Sequence, residues 1–188
     1  MMSRRVIKQD IRKSGSGNPG ATNMLRTHGF KWGLFTFLFD TLKGTIPALT
    51  AALLYGFETN SGQIALYACG FCVVVGHCFP VIYKFRGGKG VSTIVGVMFI
   101  ANPIVSTISF AGALAYFAVF EYGAMTSFIF ITPVIAWKIS QEKISLVVCL
   151  LLLCFFCLIC YTHRKNIKRL LDGTENRAKM FTLKKKNK

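Results

Sequence analysis

Hydrophobic residues form long, nearly uninterrupted stretches along this chain, separated by short polar segments. The stretches cover residues 33–56, 63–83, 91–101, 104–120, 123–137 and 144–161. They lack the period-two alternation of a half-buried strand, and most approach the roughly 20 residues that a helix needs to cross a bilayer. Only helices and closed barrels satisfy their backbone groups in hydrocarbon. The pattern therefore predicts an all-α, polytopic integral membrane helix bundle with about six transmembrane helices.

One stretch departs from this length. Residues 91–101 are too few to cross a bilayer alone, and the pair Asn102-Pro103 ends them. We expect a broken or partly entering helix here, whose backbone lies against protein rather than lipid.

Most of the charge lies at the ends of the apolar stretches. The chain has 23 Lys and Arg against 7 Asp and Glu, and most of the basic residues lie in 1–31, 84–89 and 164–188. A nucleic-acid-binding protein would spread its positive charge over a folded polar surface, so we expect no nucleic acid partner. Under the positive-inside rule, six crossings place all three basic segments on the cytoplasmic side.

These observations predict a single membrane-embedded domain over residues 1–188. Its parts are a cytoplasmic N-terminal segment 1–31, transmembrane helices within 33–161, and a cytoplasmic C-terminal segment 162–188. The seven cysteines lie in or near apolar stretches, where they are best interpreted as small apolar residues. We therefore expect no metal site and no cofactor.

The first segment with candidate chemistry is "SGSGNPGATNMLRTHG" at 14–29. Its glycines let backbone N–H groups approach an anion closely, and Ser16, Asn18 and Asn23 supply further polar groups. Arg26 adds a guanidinium that binds phosphate oxygens in pairs. A flexible linker is the alternative, but a linker needs neither the asparagines nor the arginine.

The second segment is "GHCFPVIYKFRGGKGVST" at 76–93, in which Lys89 lies among three glycines. A nucleotide-binding P-loop requires Ser or Thr after its lysine, whereas Gly90 stands there, so a nucleotide-hydrolysing motor is disfavoured. Lys89 still offers a positive charge to an anion. His77 is at least as well explained as a packed histidine as by a catalytic role.

The third segment is "THRKNIKRLLDGTENR" at 162–177. His163 and Asn166 are three residues apart and share one face if the last helix continues through them. A basic cap at a cytoplasmic helix end explains the Arg and Lys residues but not His163, Asn166 or Glu175. Within the first apolar stretch, Asp40 and Lys43 form either a simple salt bridge or part of the same site.

Four segments together resemble a known family, the bacterial acyl-phosphate-dependent glycerol-3-phosphate acyltransferases of the PlsY type. They are "DIRKSGSGNPGATNMLR", "FDTLKG", "GHCFPVIYKFRGGKGVST" and "HRKNIKRLLDGTENR", in the family's order and membrane spacing over nearly the whole chain. The resemblance implies transfer of a fatty acyl group from acyl phosphate to the 1-hydroxyl of glycerol 3-phosphate. The products are 1-acylglycerol 3-phosphate and inorganic phosphate, in the first step of bacterial phospholipid synthesis.

The resemblance also assigns residues. The family's essential serine and arginine fall on Ser16 and Arg26, and its third-motif histidine and asparagine on His163 and Asn166. The glutamate that supports structural integrity falls on Glu175. The expected catalytic group is Ser16, Arg26, Lys89, His163 and Asn166. The expected substrate-binding residues are Gly17, Asn18, Asn23, Lys43, Gly87, Gly88, Gly90 and Thr93.

The implied setting is the bacterial inner membrane, with a multi-pass fold and motifs facing the cytoplasm. The expected partners are acyl phosphate, glycerol 3-phosphate, the lipid bilayer and the acyl-phosphate-forming enzyme of the same pathway. The family normally has seven transmembrane helices, with one ahead of the first motif. We expect six here, so either the gene model begins late or this member folds with six.

Two alternatives follow from the same residues. Acyltransferases that use acyl-CoA or acyl carrier protein carry H-x-x-x-x-D, but no Asp stands five residues after His28, His77 or His163. A small transporter or an anionic-lipid-binding membrane protein is the alternative from another class. A transporter should concentrate its polar groups at mid-membrane, whereas the predicted polar groups here gather at one face, which favours interfacial chemistry.

Overall fold

Helices joined by short connections make up the described part of this protein, residues 9–178 of a computed structural model. Two short 3-10 turns, Ile11–Lys13 and Val81–Tyr83, accompany the helices. The helices are α1 (Ala21–His28), α2 (Phe30–Tyr55), α3 (Asn60–Cys78), α4 (Val91–Ala101), α5 (Pro103–Phe120), α6 (Gly123–Ile139) and α7 (Leu146–Leu171). The all-α prediction is confirmed, and each predicted apolar stretch contains a helix.

Helices α3, α5 and α7 begin at local signals in the sequence. The Thr59 hydroxyl accepts a hydrogen bond from the Gly62 N–H at the start of α3, and the Ser145 hydroxyl accepts one from the Val147 N–H at the start of α7. α5 begins at Pro103, whose missing N–H is not needed in the first turn. These local signals explain why the helix starts lie close to the predicted ones.

Within residues 9–178, four segments are long and apolar enough to cross a membrane: Phe30–Tyr55, Asn60–Tyr83, Pro103–Phe120 and Leu146–Leu171. The helices α4 and α6 are apolar but shorter. On α2, the side chains of Leu38, Leu42, Ile46 and Leu53 are at least half exposed. Exposed leucine and isoleucine on a long apolar helix are what a lipid-facing surface requires.

Helix α4 lies at the centre of the bundle, in contact with α2, α3, α5 and α6. Every residue from Thr93 to Met98 is buried, so all sides of this helix contact protein. The expectation that this short segment lies against protein rather than lipid is confirmed.

The crossing of α2 and α4 brings the two backbones into contact. A Cβ on Gly44 would collide with the carbonyl oxygen of Thr93, and a Cβ on Gly96 would collide with the carbonyl oxygen of Thr41. Each helix thus places a glycine against the backbone of the other, as small residues do where membrane helices approach closely. This crossing fixes α4, and with it the loop that precedes α4.

Helix α7 presents one continuous face to the bundle interior. Its buried residues are Val148, Leu152, Phe155, Ile159, His163 and Asn166. These follow helical spacing, so the apolar stripe at one end of the helix leads directly to two buried polar side chains at the other. α7 also runs about three turns beyond the predicted end at residue 161. His163 and Asn166 therefore share a helix face as predicted.

Candidate active site

A cavity of about 600 Å³ lies where the three polar segments meet, between α1, α2, α4, α5, α6 and α7. All five residues of the expected catalytic group line it, as do four further predicted site residues. In chain order these nine are Ser16, Asn18, Asn23, Arg26, Lys89, Gly90, His163, Asn166 and Glu175. The structure thus brings together residues from segments more than a hundred positions apart.

The N-terminal loop is shaped by Asn23 of α1. Its side-chain oxygen accepts a hydrogen bond from the Ser16 N–H at 3.0 Å, and its amide nitrogen donates to the Ser14 carbonyl at 3.0 Å. Asn23 is 1% exposed, so these bonds satisfy an otherwise costly buried amide. A Cβ on Gly15 would collide with the same amide oxygen, and Gly15 has φ +59°. Asn23 therefore holds Ser16 at the cavity.

The glycine-rich loop is held against the end of α3 by its own backbone. The Gly87 N–H donates to the Cys78 carbonyl at 3.1 Å, and the Gly88 N–H donates to the His77 carbonyl at 3.2 Å. A Cβ on Gly87 would collide with the His77 carbonyl, and a Cβ on Gly88 would collide with the His77 ring. The N–H groups of Gly87 and Gly88 therefore donate to protein carbonyls rather than to a ligand. The Lys89 side chain of the same loop lines the cavity.

Lys89 connects the loop to α7 through a chain of hydrogen bonds. Its Nζ donates to the Asn166 Oδ1 at 2.6 Å, and the Asn166 Nδ2 donates to the Glu175 Oε1 at 2.6 Å. The other carboxylate oxygen of Glu175 accepts from the Arg169 Nε at 2.8 Å. Each of these donor nitrogens meets an acceptor, so this network of four side chains fixes the orientation of the Lys89 side chain.

Burial sets the charge state of Lys89. The pKa of Lys89 is lowered from 10.5 to about 8, mainly because burial removes water from the ammonium group. The Glu175 carboxylate opposes this lowering, while the nearby guanidinium groups of Arg169 and Arg26 add to it. Three cationic side chains, Arg26, Lys89 and Arg169, therefore line the cavity against the two carboxylates of Asp40 and Glu175, and this excess of positive charge favours an anionic ligand.

His163 is 1% exposed and has a defined tautomer. Its Nδ1 lies 3.0 Å from the Ile159 carbonyl oxygen, which only accepts hydrogen bonds, so Nδ1 carries the proton. In the neutral ring Nε2 is then the acceptor. The ring also makes an edge contact with Phe128, at 5.5 Å between centroids. These contacts fix the ring orientation at the cavity wall.

Arg26 is held by the backbone near the end of the described chain. Its Nε donates to the Arg177 carbonyl at 3.1 Å and its Nη2 to the Asn176 carbonyl at 3.3 Å. The remaining Nη1 makes no hydrogen bond to the described residues. The guanidinium is therefore oriented by two contacts and retains donors for a ligand.

Five predicted site residues do not line this cavity: Gly17, Lys43, Gly87, Gly88 and Thr93. Lys43 forms a salt bridge with Asp40 at 2.7 Å. With Gly87 and Gly88 it lines a second cavity of about 840 Å³, and the Asp40 and His77 side chains border both cavities. Thr93 is 0% exposed in the α2–α4 crossing.

The structure adds residues that sequence reasoning missed. Arg169, Ser92, Ser127 and Asn176 line the first cavity. Arg169 follows Asn166 by three positions on α7, so helical spacing alone places it on the same face. Ser92 and Ser127 lie within apolar helices and carry no comparable signal. Among residues 9–178, no group of His, Cys, Asp and Glu is suited to hold a metal ion.

Comparison with known proteins agrees with this geometry. The family model described as "Glycerol-3-phosphate acyltransferase" matches residues 1–173. The chain belongs to the glycerol-3-phosphate acyltransferase family. A family member from Clostridioides difficile is 40% identical over 182 residues, covering 94% of this chain and 86% of the relative. One from Aquifex aeolicus is 39% identical over 170 residues, covering 89% and 85%.

Solved structures of the glycerol-3-phosphate acyltransferase family share the fold. The glycerol 3-phosphate form of PlsY, an integral membrane glycerol 3-phosphate acyltransferase, has a TM-score of 0.83 and 37% identity. That match covers 92% of this chain and 84% of the solved one. The lysophosphatidic acid form has a TM-score of 0.78 and 38% identity, covering 87% and 81%. This chain is therefore an integral membrane protein of the PlsY type.

Proposed function

We propose that this protein transfers a fatty acyl group from acyl phosphate to the 1-hydroxyl of glycerol 3-phosphate. The hydroxyl oxygen forms a bond to the acyl carbonyl carbon, and the bond between that carbon and the phosphate oxygen breaks. The hydroxyl proton leaves with, or is passed to, the departing inorganic phosphate. Membership of the family supports the acceptor and the acyl transfer, and the cavity supports the choice of donor.

The observation that carries the proposal is the convergence of Ser16, Arg26, Lys89, His163 and Asn166 on one cavity. Both substrates carry a phosphate, so bringing them together costs electrostatic repulsion that cationic groups must offset. Arg26 and Lys89 face the same space from opposite segments of the chain. We assign one phosphate to the Ser16–Arg26 side and the other to Lys89, with Asn18 and Asn166 orienting polar groups.

The same cavity contains a large apolar portion suited to the acyl chain. The apolar lining is formed by Phe30, Leu34, Phe37, Phe110, Leu114 and Phe117. Three of these are exposed: Phe30 at 63%, Leu34 at 43% and Leu114 at 49%. The apolar part of the cavity thus opens towards the surface that faces lipid. A lipid-like donor could enter from the bilayer while glycerol 3-phosphate arrives from water.

His163 has two candidate roles. Its Nε2 is an acceptor and is suited to take the proton of the attacking hydroxyl. Alternatively the departing phosphate accepts that proton and His163 binds substrate. We favour the second route, because acyl phosphate is a mixed anhydride that needs little activation. A His163→Gln variant that keeps most of its turnover at saturating substrate would support substrate assistance, and a loss of turnover would support the general base.

The cellular arrangement follows from the charge pattern. We place the protein in the bacterial inner membrane with the cavity's polar end facing the cytoplasm, because the basic segments flank that end. Glycerol 3-phosphate is then supplied from the cytosol. The enzyme that forms acyl phosphate is the natural partner, since its product is the reactive donor.

The decisive experiment measures phosphate release by the purified protein in detergent, with acyl phosphate, in the presence and absence of glycerol 3-phosphate. Release should depend on glycerol 3-phosphate and be matched by formation of 1-acylglycerol 3-phosphate. Lys89→Ala should mainly raise the concentration of glycerol 3-phosphate required. Lys165→Ala is the matched control, because it removes the same charge from an exposed position beside Asn166. Equal use of acyl-CoA, or release without glycerol 3-phosphate, would overturn the proposal.

A further inference from the structure

Residues 174–178 form a short segment without regular secondary structure after α7, which we call the C-terminal strap. The Thr174 N–H donates to the Arg169 carbonyl at 2.8 Å, so the strap starts from the end of α7. Glu175 then turns into the cavity network, where it is bonded to Asn166 and Arg169. Asn176 lines the same cavity. The strap therefore forms part of the cavity wall at its polar end.

The far end of the strap is fixed to the α5–α6 connection. The Ala178 N–H donates to the Glu121 carbonyl at 2.9 Å, and Ala178 is 0% exposed. The Arg177 guanidinium lies 5.3 Å from the centre of the Tyr122 ring, and its Nε lies 3.3 Å from the Tyr122 hydroxyl oxygen. A backbone hydrogen bond, a buried side chain and a cation–π contact thus fix a segment that has no helix of its own.

Arg26 is bound to the strap between these two fixed ends. Two of its nitrogens donate to the consecutive carbonyls of Asn176 and Arg177. An arginine fork that meets two acceptors in fixed directions loses most of its rotational freedom. The direction in which Nη1 points is consequently set by where the strap carbonyls lie.

We propose that Tyr122 and Arg177 are positioning residues, which act through the strap carbonyls to aim the Arg26 guanidinium at the substrate phosphate. The proposal rests on the function proposed above, in which Arg26 binds a phosphate. Neither Tyr122 nor Arg177 lines the cavity, so we expect no direct contact of either with the substrate. Their effect on catalysis should pass entirely through Arg26.

The test compares Arg177→Ala and Tyr122→Phe with Arg26→Lys in the full chain. Arg26→Lys keeps the positive charge but cannot reach both carbonyls, and it should raise the KM for the substrate whose phosphate Arg26 holds. Arg177→Ala should raise the same KM by about tenfold, as expected when a charged hydrogen bond is misdirected, with a smaller change in kcat. Tyr122→Phe keeps the ring under the guanidinium and should have the weaker effect.

A double-mutant comparison separates positioning from simple stabilisation. If the strap acts through Arg26, adding Arg177→Ala to Arg26→Lys should cause no further rise in KM. Arg177→Lys should recover part of the affinity, because it restores a cation over Tyr122. Two results would overturn the proposal. One is an unchanged KM in Arg177→Ala, and the other is a double variant whose increase in KM equals the product of the two single increases.

An additional measurement applies if Arg26→Lys has no activity. Since Lys89 is assigned to glycerol 3-phosphate, Arg26 is left with the phosphate of the donor. Acyl phosphate alone should therefore raise the melting temperature of the wild-type protein, because a ligand stabilises the state that it binds. That shift should be reduced in Arg177→Ala and absent in Arg26→Lys, and a full shift in Arg177→Ala would overturn the positioning role. Wild-type protein that lacks acyl transfer altogether would instead overturn the proposed function, so the two failures are distinguishable.

Discussion

Lys89 and Asn166 are joined by a 2.6 Å hydrogen bond from Nζ to Oδ1, although 77 positions separate them in the chain. The glycine-rich loop and the end of α7 thereby become one structure. Asn166 donates in turn to Glu175. The Lys89 ammonium group is therefore connected by hydrogen bonds to a buried carboxylate near the end of the described chain.

The first prediction concerns pH. The pKa of Lys89 is lowered to about 8 by burial, so its ammonium group is present below pH 8 and is lost as the pH rises through that value. If this charge binds a phosphate, kcat/KM should fall above about pH 8, and the fall should reflect the free enzyme. Lys89→Arg should remove this alkaline limb, because a guanidinium stays protonated throughout the range. An identical alkaline limb in Lys89→Arg would assign it to another group.

The second prediction concerns Glu175, whose side chain is 5% exposed. Asn166 and Arg169 donate to different oxygens of Glu175, and glutamine replaces one of these oxygens by an NH2 group, so one of the two donors would face another donor. Glu175→Gln should therefore lower the free energy of unfolding by about 3 kcal/mol. It should also move the alkaline limb to lower pH, because the carboxylate raises the pKa of Lys89. Glu142→Gln, at an exposed position, is the control and should change neither quantity.

The third prediction separates the two glycines before Lys89. A Cβ on Gly87 would meet the backbone carbonyls of His77 and Cys78, which cannot move independently, whereas a Cβ on Gly88 would meet only the His77 ring. Both alanine variants should lose activity, and Gly87→Ala should lose at least about tenfold more, because its backbone must shift. Steady-state kinetics at saturating substrate give this comparison. Gly112→Ala, where a Cβ has open space, should be indistinguishable from wild type.

The fourth prediction concerns the α2–α4 crossing. Gly96→Leu would place a side chain against the Thr41 carbonyl and the Thr45 side chain, and should destabilise the protein by about 3 kcal/mol or more. Gly112→Leu adds the same side chain to α5 without a neighbouring atom to collide with. Thermal unfolding in detergent should show a large drop for the first variant and a small change for the second. Equal drops would contradict the close crossing.

The sequence by itself determined the helices. Apolar runs of helical length, bounded by residues such as Thr59, Pro103 and Ser145, specify where helices start because capping and backbone satisfaction are local. The burial of the short helix Val91–Ala101 also followed from its length alone. The five expected catalytic residues were predicted from their chemical types and from the family resemblance, and they do line one cavity.

Tertiary structure decided which predicted residues meet. The sequence placed Gly87 and Gly88 beside Lys89, but long-range packing directs their amides to the end of α3, whereas Lys89 and Gly90 line the first cavity. Packing likewise buries Thr93 between helices. The contact of Arg26 with the strap joins positions some 150 apart. No local pattern encodes such contacts, because they depend on how α2, α4 and α7 pack against one another. Local hydrogen bonding thus fixed the elements, and packing between distant helices fixed the site.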